Sequence, residues 1–471
     1  MTTTLLKFSP SLKAKLKPQQ LFAYFANQPW AFWLDSCDSS HEDCQFDIMV
    51  FDPSITLTTQ ANSTKIDHFN DQGELIKSEY NTDDPLALVE QYQQGVFAKK
   101  TLPISELPFI GGALGYFAYD LGRQFEMMPD IAKRDIDLPD MAVGIYQQAI
   151  IYDHKTQQFH LICPTDKQQA LTTKITQLIK IELPTTSTFK ITKAWQSNIN
   201  KSAYDQKFKQ VQEYLLSGDC YQINLAQRFK AQYKGDEFQA YLALRAANNA
   251  PFSAFMRFDD AAILSISPER FLQVSKQNKV QAKPIKGTRP RSLDKQQDQA
   301  YADELKNATK DQAENLMIVD LLRNDISKAC IAGSVKVPKL FAIESFPAVH
   351  HLVSTVEGQL SDNKHPIDLL RGAFPGGSIT GAPKVRAMEI IEQLEPHKRS
   401  IYCGSIGYIS ACGRMDTSIT IRTLVCQQTE QKEKNIFCWA GGGLVADSQV
   451  DDEYQETFDK VNKILPILAK L

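Results

Sequence analysis

The chain has 471 residues, 43% of them hydrophobic and 23% charged, and a formal net charge of −3. This is the composition of a soluble globular protein, and its slightly acidic balance disfavours a nucleic-acid partner. No run reaches the roughly 18 apolar residues of a membrane span, no signal-peptide pattern opens the chain, and the nine cysteines form no C-x-x-C pair, so a cytoplasmic protein with buried free thiols is expected, without zinc or a disulfide framework.

The first 160 residues read mostly as strands and turns. WAFWLDS, QFDIMVFDP and MAVGIYQQAIIYD are β-rich runs bounded by Pro, Asp and Gly. FIGGALGYFAYDLGRQFE has glycines where a strand bends or approaches another backbone. A helix is expected over about 167–181, followed by the polar stretch ELPTTSTFKITKAWQSN, which reads as a linker. From Trp195 the texture changes. A helix opens on a Ser202 cap, carries Tyr204, Phe208, Val211, Leu215 and Leu216 at helical spacing, and stops at Gly218. Then come the strand YQINLAQRF, the hairpin-like AAILSISPERFLQV, the helix DQAENLMIVDLLRND, the strands GSIGYIS, TSITIRTLV and IFCWAGGGLV, and a final helix from about Asp452. Strand pairs alternating with long helices predict an α+β fold of layered sheets flanked by helices. The expected organisation is a lobe at 10–160, a helix and linker at 161–194, and a catalytic domain at 195–468, able to join as one body.

Several stretches carry chemistry. QAKPIKGTRPR frames Lys286 between Ile285 and Gly287. A free lysine, with a pKa of about 10.4, is protonated at neutral pH, and a nucleophilic role needs desolvation or neighbouring cations. Pro284 and Ile285 offer the first; Lys283, Arg289 and Arg291 offer the second. Taken alone, the window reads more simply as a basic turn. SPER sets Glu269 after a proline at a strand end, a place suited to acid/base work, although a lone carboxylate there is more often a surface ion-pair partner. In DQAENLMIVDLLRND, Glu314 and Asp320 are embedded in a helix read as apolar on two sides through Ala313, Leu316, Met317 and Leu321, and buried acids need a partner or a metal. Glu453 and Glu456 stand three apart on the last helix, where acids also suit the helix dipole. Paired with Glu314, Glu456 gives the two carboxylates that Mg²⁺ would take alongside substrate oxygens and water. FPGGSITGAPKVRAMEII, with Pro383 near a helix start, and WAGGGLVADS are candidate backbone anion sites. Arg422, a charge inside a β-branched strand, points at a partner. A substrate with more than one carboxylate or phosphate is predicted, and neither glycine run matches a nucleotide fingerprint. His350 and His351, in PAVHHLVST, stay open between core hydrogen bonding and catalysis.

Taken together, PIKGT, SPERF, AENLMIVDLLRND, HHLVST, FPGGSITGAPK, IRT, AGGGLVADS and EYQETFDK resemble the chorismate-utilising enzymes, over about residues 10–470. The resemblance implies a Mg²⁺-dependent enzyme acting on chorismate and ammonia, with a separate glutaminase subunit completing a heterodimer. No nucleophile-elbow cysteine with a downstream His–Glu pair is found in this chain. Anthranilate synthases carry alanine where this chain has Lys286; the lysine resembles the form that makes 4-amino-4-deoxychorismate, toward para-aminobenzoate and folate. On that resemblance Lys286 attacks C2 of chorismate and expels the C4 hydroxyl, Glu269 protonates the leaving group, ammonia adds at C4, and His351 lies near the ring. Mg²⁺ would sit on Glu314 and Glu456 with Glu453 close by. Substrate contacts would come from Gly287, Thr288, Tyr402, Arg422, Gly441, Gly443 and Lys460. Gln222 stands where isochorismate and salicylate synthases look to carry a lysine base, so water addition is disfavoured. Relatives hold a tryptophan pocket, which Ser36, Asp43, Cys44, Gln45 and Phe46 would line here with Pro251, Phe252 and Ser253. Asp35 departs from the regulatory LLES pattern, which leaves a structural tryptophan rather than feedback control. The rival readings are anthranilate synthase component I, opposed by Lys286; isochorismate synthase, opposed by Gln222; and a non-catalytic chorismate-binding subunit, opposed by Lys286, Glu269, Glu314 and Glu456 together.

Overall fold

Segments such as FSAFMR and NIFCWAG are apolar without alternation, the pattern of a strand covered on both faces. The computed structural model, which describes residues 2–8, 16–37, 43–183, 187–346, 349–429 and 433–471, shows what covers them. Two twelve-stranded sheets, built of antiparallel pairs, share one core. Met256, Ile263, Phe437 and Trp439 of the first sheet meet Leu57, Leu114, Val143 and Leu272 of the second in that core. Alternate residues of the same strands, Phe255, Leu264, Ile436 and Cys438, face the opposite way. There they lie against the helices Gln168–Leu178, Glu237–Asn248 and Leu465–Ala469. The helices Thr309–Ser327 and Pro366–Ala373 join the central core through Ile318, Leu322 and Leu369. The α+β layering expected from the sequence is borne out. No described helix is long and apolar enough to cross a membrane.

The segments 10–160 and 195–468 interleave strand by strand. In the first sheet Phe32–Asp35 pairs with Phe252–Arg257, and in the second Gly112–Phe117 pairs with Ser405–Ser410. Half of the expected linker is also strand: Lys190–Ser197 borders the first sheet beside Gln222–Lys234. Its polar composition is that of an edge strand, not of a loop.

Other local expectations need correction. The helix Lys201–Leu216 is capped by Asn200, whose side chain accepts from the Ala203 N–H at 2.9 Å, so Ser202 lies inside the first turn. Gly218, at φ +78°, does end that helix region. In Thr309–Ser327 the buried face is Asn315, Ile318, Val319, Leu322, Asp325 and Ile326, while Leu316 is 52% exposed and Asp320 faces solvent. The acid held in the core is Asp325, paired with Lys384 at 2.7 Å and Lys328 at 2.9 Å. The helix Lys295–Asn307 escaped sequence reading because it buries only Ala302 and Leu305, too little for an apolar period. None of the nine cysteines is in a disulfide, and eight of them are buried.

Candidate active site

Two crossovers between the sheets create the site. AAILSISPERFLQV is no hairpin: Ala261–Ser267 belongs to the first sheet and Arg270–Val274 to the second. The chain changes sheet at Pro268 and Glu269, where proline ends ladder pairing. TSITIRTLV is likewise split, with Met415–Ile419 in the second sheet and Thr423–Gln428 in the first. Arg422 therefore sits in a crossover at φ +51°, not within a strand. Both strand pairs run side by side, so the crossovers are neighbours: Ile419 N–H donates to the Glu269 carbonyl at 3.0 Å and Ile266 N–H to the Arg422 carbonyl at 3.2 Å. An acid and a cation far apart in sequence are thereby brought into one cavity of about 560 Å³.

Lys286 enters that cavity from the strand Ile285–Pro290. Its register against Val349–Gln359 slips between Lys286 and Thr288, a bulge at Gly287 with φ +73°. A Cβ at Gly287 would lie 2.7 Å from Leu305 and 2.8 Å from Asp311, so the glycine serves the bulge itself. The Lys286 Nζ lies 3.4 Å from the Ser378 carbonyl oxygen, and its charge reaches Glu269, Glu314 and Glu456. The neighbouring cations do not assist it as expected. Arg289 pairs with Glu304 and Asp311, Arg291 with Asp298, and Lys283 lies near Asp43 and Glu344.

Burial pushes the Glu269 carboxyl up to about 7, against the opposing pull of Lys286, Lys460 and Arg422. Burial and then Arg422 bring His351 down to about 4, so its ring is neutral at pH 7. His351 Nδ1 meets the Thr288 hydroxyl at 2.9 Å on the cavity wall. Its neighbour His350 points away, bonded to Ser345 and Asp298. Alternation along the strand thus separates the two roles left open by the sequence. Among the described residues the Arg422 guanidinium has no hydrogen-bond or ion-pair partner, which suits it to a carboxylate brought by a ligand. Tyr402 stacks on Trp439 at 6.1 Å, and both line the cavity.

The acids gather at the same cavity. Glu314 comes from Thr309–Ser327, and Glu453 and Glu456 from the helix Val450–Asp459. Burial raises Glu314 and Glu453, and the charge of Glu456 raises both further. Burial also works against Glu456, but Lys460 at 2.6 Å, together with Lys286 and Lys310, outweighs it and holds the carboxyl below its ordinary value. Lys460 also donates to the Gly441 carbonyl at 2.7 Å. A Cβ on Gly442 would lie 3.0 Å from Glu453 Oε2 and 3.6 Å from Glu456 Oε1, so glycine is what lets these carboxylates approach the strand. Mutually repelling hard oxygens of this kind fit a divalent cation such as Mg²⁺. Among the described residues no group of three or more His, Cys, Asp or Glu is placed to hold a metal by itself.

Gly443 is on the wall, whereas Gln222 lies behind it, 1% exposed. The expected anion site at the start of the helix Lys384–Leu394 is displaced: the cavity takes Ser378 and Ile379 from the preceding turn, and Lys384 is held by Asp325 and the Ala373 carbonyl. Asn224, Trp439 and Ser378 also line the cavity and were not anticipated. Asn224, two residues from Gln222 on one strand, was the most accessible to a period-2 reading.

A second cavity, of about 360 Å³, is lined by Ser36, Asp43, Gln45, Phe46, Pro251, Phe252 and Ser253 together with Arg270 and Asp416. Cys44 is not on its wall; its carbonyl accepts from the Ser36 hydroxyl at 3.3 Å. Asp35, the departure from the regulatory pattern, is buried and bonded to Arg245 at 3.0 Å and Tyr241 at 2.8 Å.

A family profile described as chorismate binding enzyme matches residues 30–466. The chain is 54% identical over 449 residues to aminodeoxychorismate synthase component 1 of Escherichia coli, covering 95% of each chain. It is 53% identical over 452 residues to the protein of that name from Salmonella typhimurium, covering 95% of this chain and 96% of the other. Anthranilate synthase component I from Streptococcus pneumoniae superposes with a TM-score of 0.76 at 30% identity, over 89% of this chain and 92% of that one. With a cavity lined by an unpaired arginine, a raised carboxyl and a lysine, and with matches spanning nearly its whole length, the chain belongs to the chorismate binding enzyme family.

Proposed function

We propose that this chain converts chorismate and ammonia to 4-amino-4-deoxychorismate, the activity carried in the names of its 53–54% identical relatives. The observation that carries the reading is Lys286, whose amine stands in the same cavity as a carboxyl titrating near 7 and an unpaired arginine. Chorismate is a dicarboxylate, and Arg422 supplies a fork for one of its carboxylates. Lys286, after passing its ammonium proton to the Glu269 carboxylate, forms a bond from its neutral nitrogen to C2, the ring double bonds shift, and the C4–O bond breaks. Glu269 gives its proton to the departing hydroxyl, which leaves as water. Ammonia then bonds to C4, the double bonds shift back, and the C2–nitrogen bond breaks. One proton from the new ammonium returns to Glu269, so the net change is chorismate plus ammonia giving product plus water. Neutral His351, fixed by Thr288, borders the ring without adding charge. Held by Glu314 and Glu456 with Glu453 beside them, Mg²⁺ would orient a ring carboxylate and offset its charge.

The ammonia source is proposed to be a separate glutaminase subunit, supported by the "component 1" in the relatives' names. The second cavity is proposed to hold tryptophan in a structural role. Incubation with chorismate, Mg²⁺ and ammonium, followed by product identification, tests the activity: 4-amino-4-deoxychorismate is expected, and anthranilate, isochorismate or unconsumed chorismate would contradict it. Glu456→Gln should raise the Mg²⁺ concentration for half-maximal activity by about tenfold or more; an unaltered titration would remove Glu456 from the ligand set.

A further inference from the structure

We propose that Ser448 is the residue that positions Glu453 for the divalent cation, holding one carboxylate oxygen from behind so that the other stays on the side shared with Glu456. The inference rests on the reading of Glu314, Glu453 and Glu456 as the Mg²⁺ site. Ser448 is 6% exposed and is not on the cavity wall, so it reaches the site only through Glu453. Its hydroxyl meets Glu453 Oε1 at 2.7 Å. A carboxylate only accepts, so the hydroxyl proton is committed to that bond.

One short turn builds this contact. VADS follows the strand Lys434–Leu444 and precedes the helix Val450–Asp459. Ser448 N–H donates to the Val445 carbonyl at 3.0 Å, and Val445 N–H donates back to the Ser448 hydroxyl at 3.1 Å. These two bonds close residues 445–448 on themselves and fix the hydroxyl as acceptor on one side and donor on the other. Glu453 lies in the first turn of the helix, its N–H on the Gln449 carbonyl at 3.0 Å. Backbone therefore holds both ends of the Ser448–Glu453 bond.

Glu456 and Glu453 stand on the same helix but are held differently. The Glu456 side chain is 48% exposed and takes Lys460, a cation that a metal ion must oppose. The Glu453 side chain is 6% exposed, and a carboxylate so buried needs a donor if it is to stay charged. A hydroxyl supplies that donor without cancelling the charge, which leaves it for a divalent ion. Lys310 comes no nearer to the same Oε1 than 4.0 Å, from an exposed side chain, too far to fix its direction. With Oε1 taken, Oε2 is the oxygen left over. It and Glu456 Oε1 lie 3.0 and 3.6 Å from the one point where a Gly442 Cβ would stand. Two carboxylates converging across a glycine suit a hard cation as long as neither rotates away. Loss of such an outer hydrogen bond typically weakens metal binding about 10–100-fold.

The test titrates the full-length chain, without substrate, with Mn²⁺ as the probe cation, read by the electron paramagnetic resonance of the free ion. The wild-type chain should show a saturable site. Ser448→Ala should raise its Kd by about tenfold or more, whereas Ser448→Thr, which keeps the hydroxyl, should stay within threefold. Thermal unfolding of each metal-free variant is recorded alongside, because a role confined to the turn would lower the midpoint and leave Kd alone. A residue that acts through Glu453 adds nothing once that carboxylate is gone, so Ser448→Ala placed on Glu453→Gln should weaken binding less than threefold further. If Ser448→Ala does not fold, Ser448→Cys, close in size and only a weak donor, carries the test with an expected loss of fivefold or more. Smaller losses than these, an equal loss in Ser448→Thr, or the full Ser448→Ala effect in the Glu453→Gln background overturns the inference. No saturable Mn²⁺ site in wild type defeats the reading of the glutamates as a metal site, whereas wild-type binding with an unchanged Kd in the variants defeats the role of Ser448 alone.

Discussion

Lys286→Ala should abolish formation of 4-amino-4-deoxychorismate, with a fall in turnover of about 10³-fold or more, while leaving the protein folded. The two effects separate because of how Lys286 is held. Its one described hydrogen bond is the 3.4 Å contact to the Ser378 carbonyl, too long to contribute much stability. A nucleophile, in contrast, is present in the transition state or the covalent route is closed, and a factor of 10³ corresponds to about 4 kcal/mol of lost transition-state stabilisation. Thermal unfolding should therefore be nearly superimposable on wild type, and chorismate should still bind through Arg422. Lys286→Arg distinguishes charge from nucleophilicity. A guanidinium keeps the positive charge but lacks a usable lone pair, so turnover near wild type in that variant would assign Lys286 an electrostatic role instead.

The second large effect concerns Glu269. Glu269→Gln keeps the shape and removes the proton, and general-acid catalysis is worth about 10²–10⁴ in rate. With the wild-type carboxyl at about 7, turnover at fixed free ammonia should decline tenfold per pH unit below that value, because the carboxylate must be free to take the Lys286 proton. The Glu269→Gln variant should show a low rate with that limb gone. Stability should move the other way. In the folded state Glu269 keeps its proton between its ordinary 4.5 and about 7, whereas the unfolded chain does not. Folded-state stability from this group is thus lost as pH rises from about 4.5 to 7, by about 3 kcal/mol in all. Glu269→Gln removes that penalty, so the variant should unfold at higher temperature than wild type at pH 8 and at a similar one at pH 4. A lower midpoint at pH 8 would show that the carboxylate stabilises its surroundings through Lys286, Lys460 and Arg422.

The chemistry was more legible in the sequence than the architecture that assembles it. Lys286, Glu269 and His351 stand in windows that local framing left open, and the resemblance to the chorismate-utilising enzymes singled them out together with Arg422 and the three glutamates; all seven line one cavity. What local windows could not convey is that Pro268–Glu269 and 420–422 are crossovers between sheets. Strand propensity is the same on either side of such a break, and only the pairing of Ala261–Ser267 with Thr423–Gln428 and of Arg270–Val274 with Met415–Ile419 distinguishes it from a hairpin. The bulge at Gly287 was hidden for the same reason, since register is set by the partner strand. Asn224 escaped because its unpaired oxygen is a property of burial, which the run YQINLAQRF does not spell out. The edge strand Lys190–Ser197 read as a linker because an edge strand is polar by the same physics that makes loops polar.

The central claim is a covalent bond from Lys286 to the substrate ring, and peptide mass spectrometry of the acid-quenched chain tests it most directly. After incubation with chorismate and Mg²⁺ but no ammonia, the peptide bearing Lys286 should carry the mass of chorismate less one water, and addition of ammonium before quenching should discharge it. Product formation in the presence of ammonium with no adduct on any peptide, or an adduct on another side chain that turns over at the catalytic rate, would contradict the account.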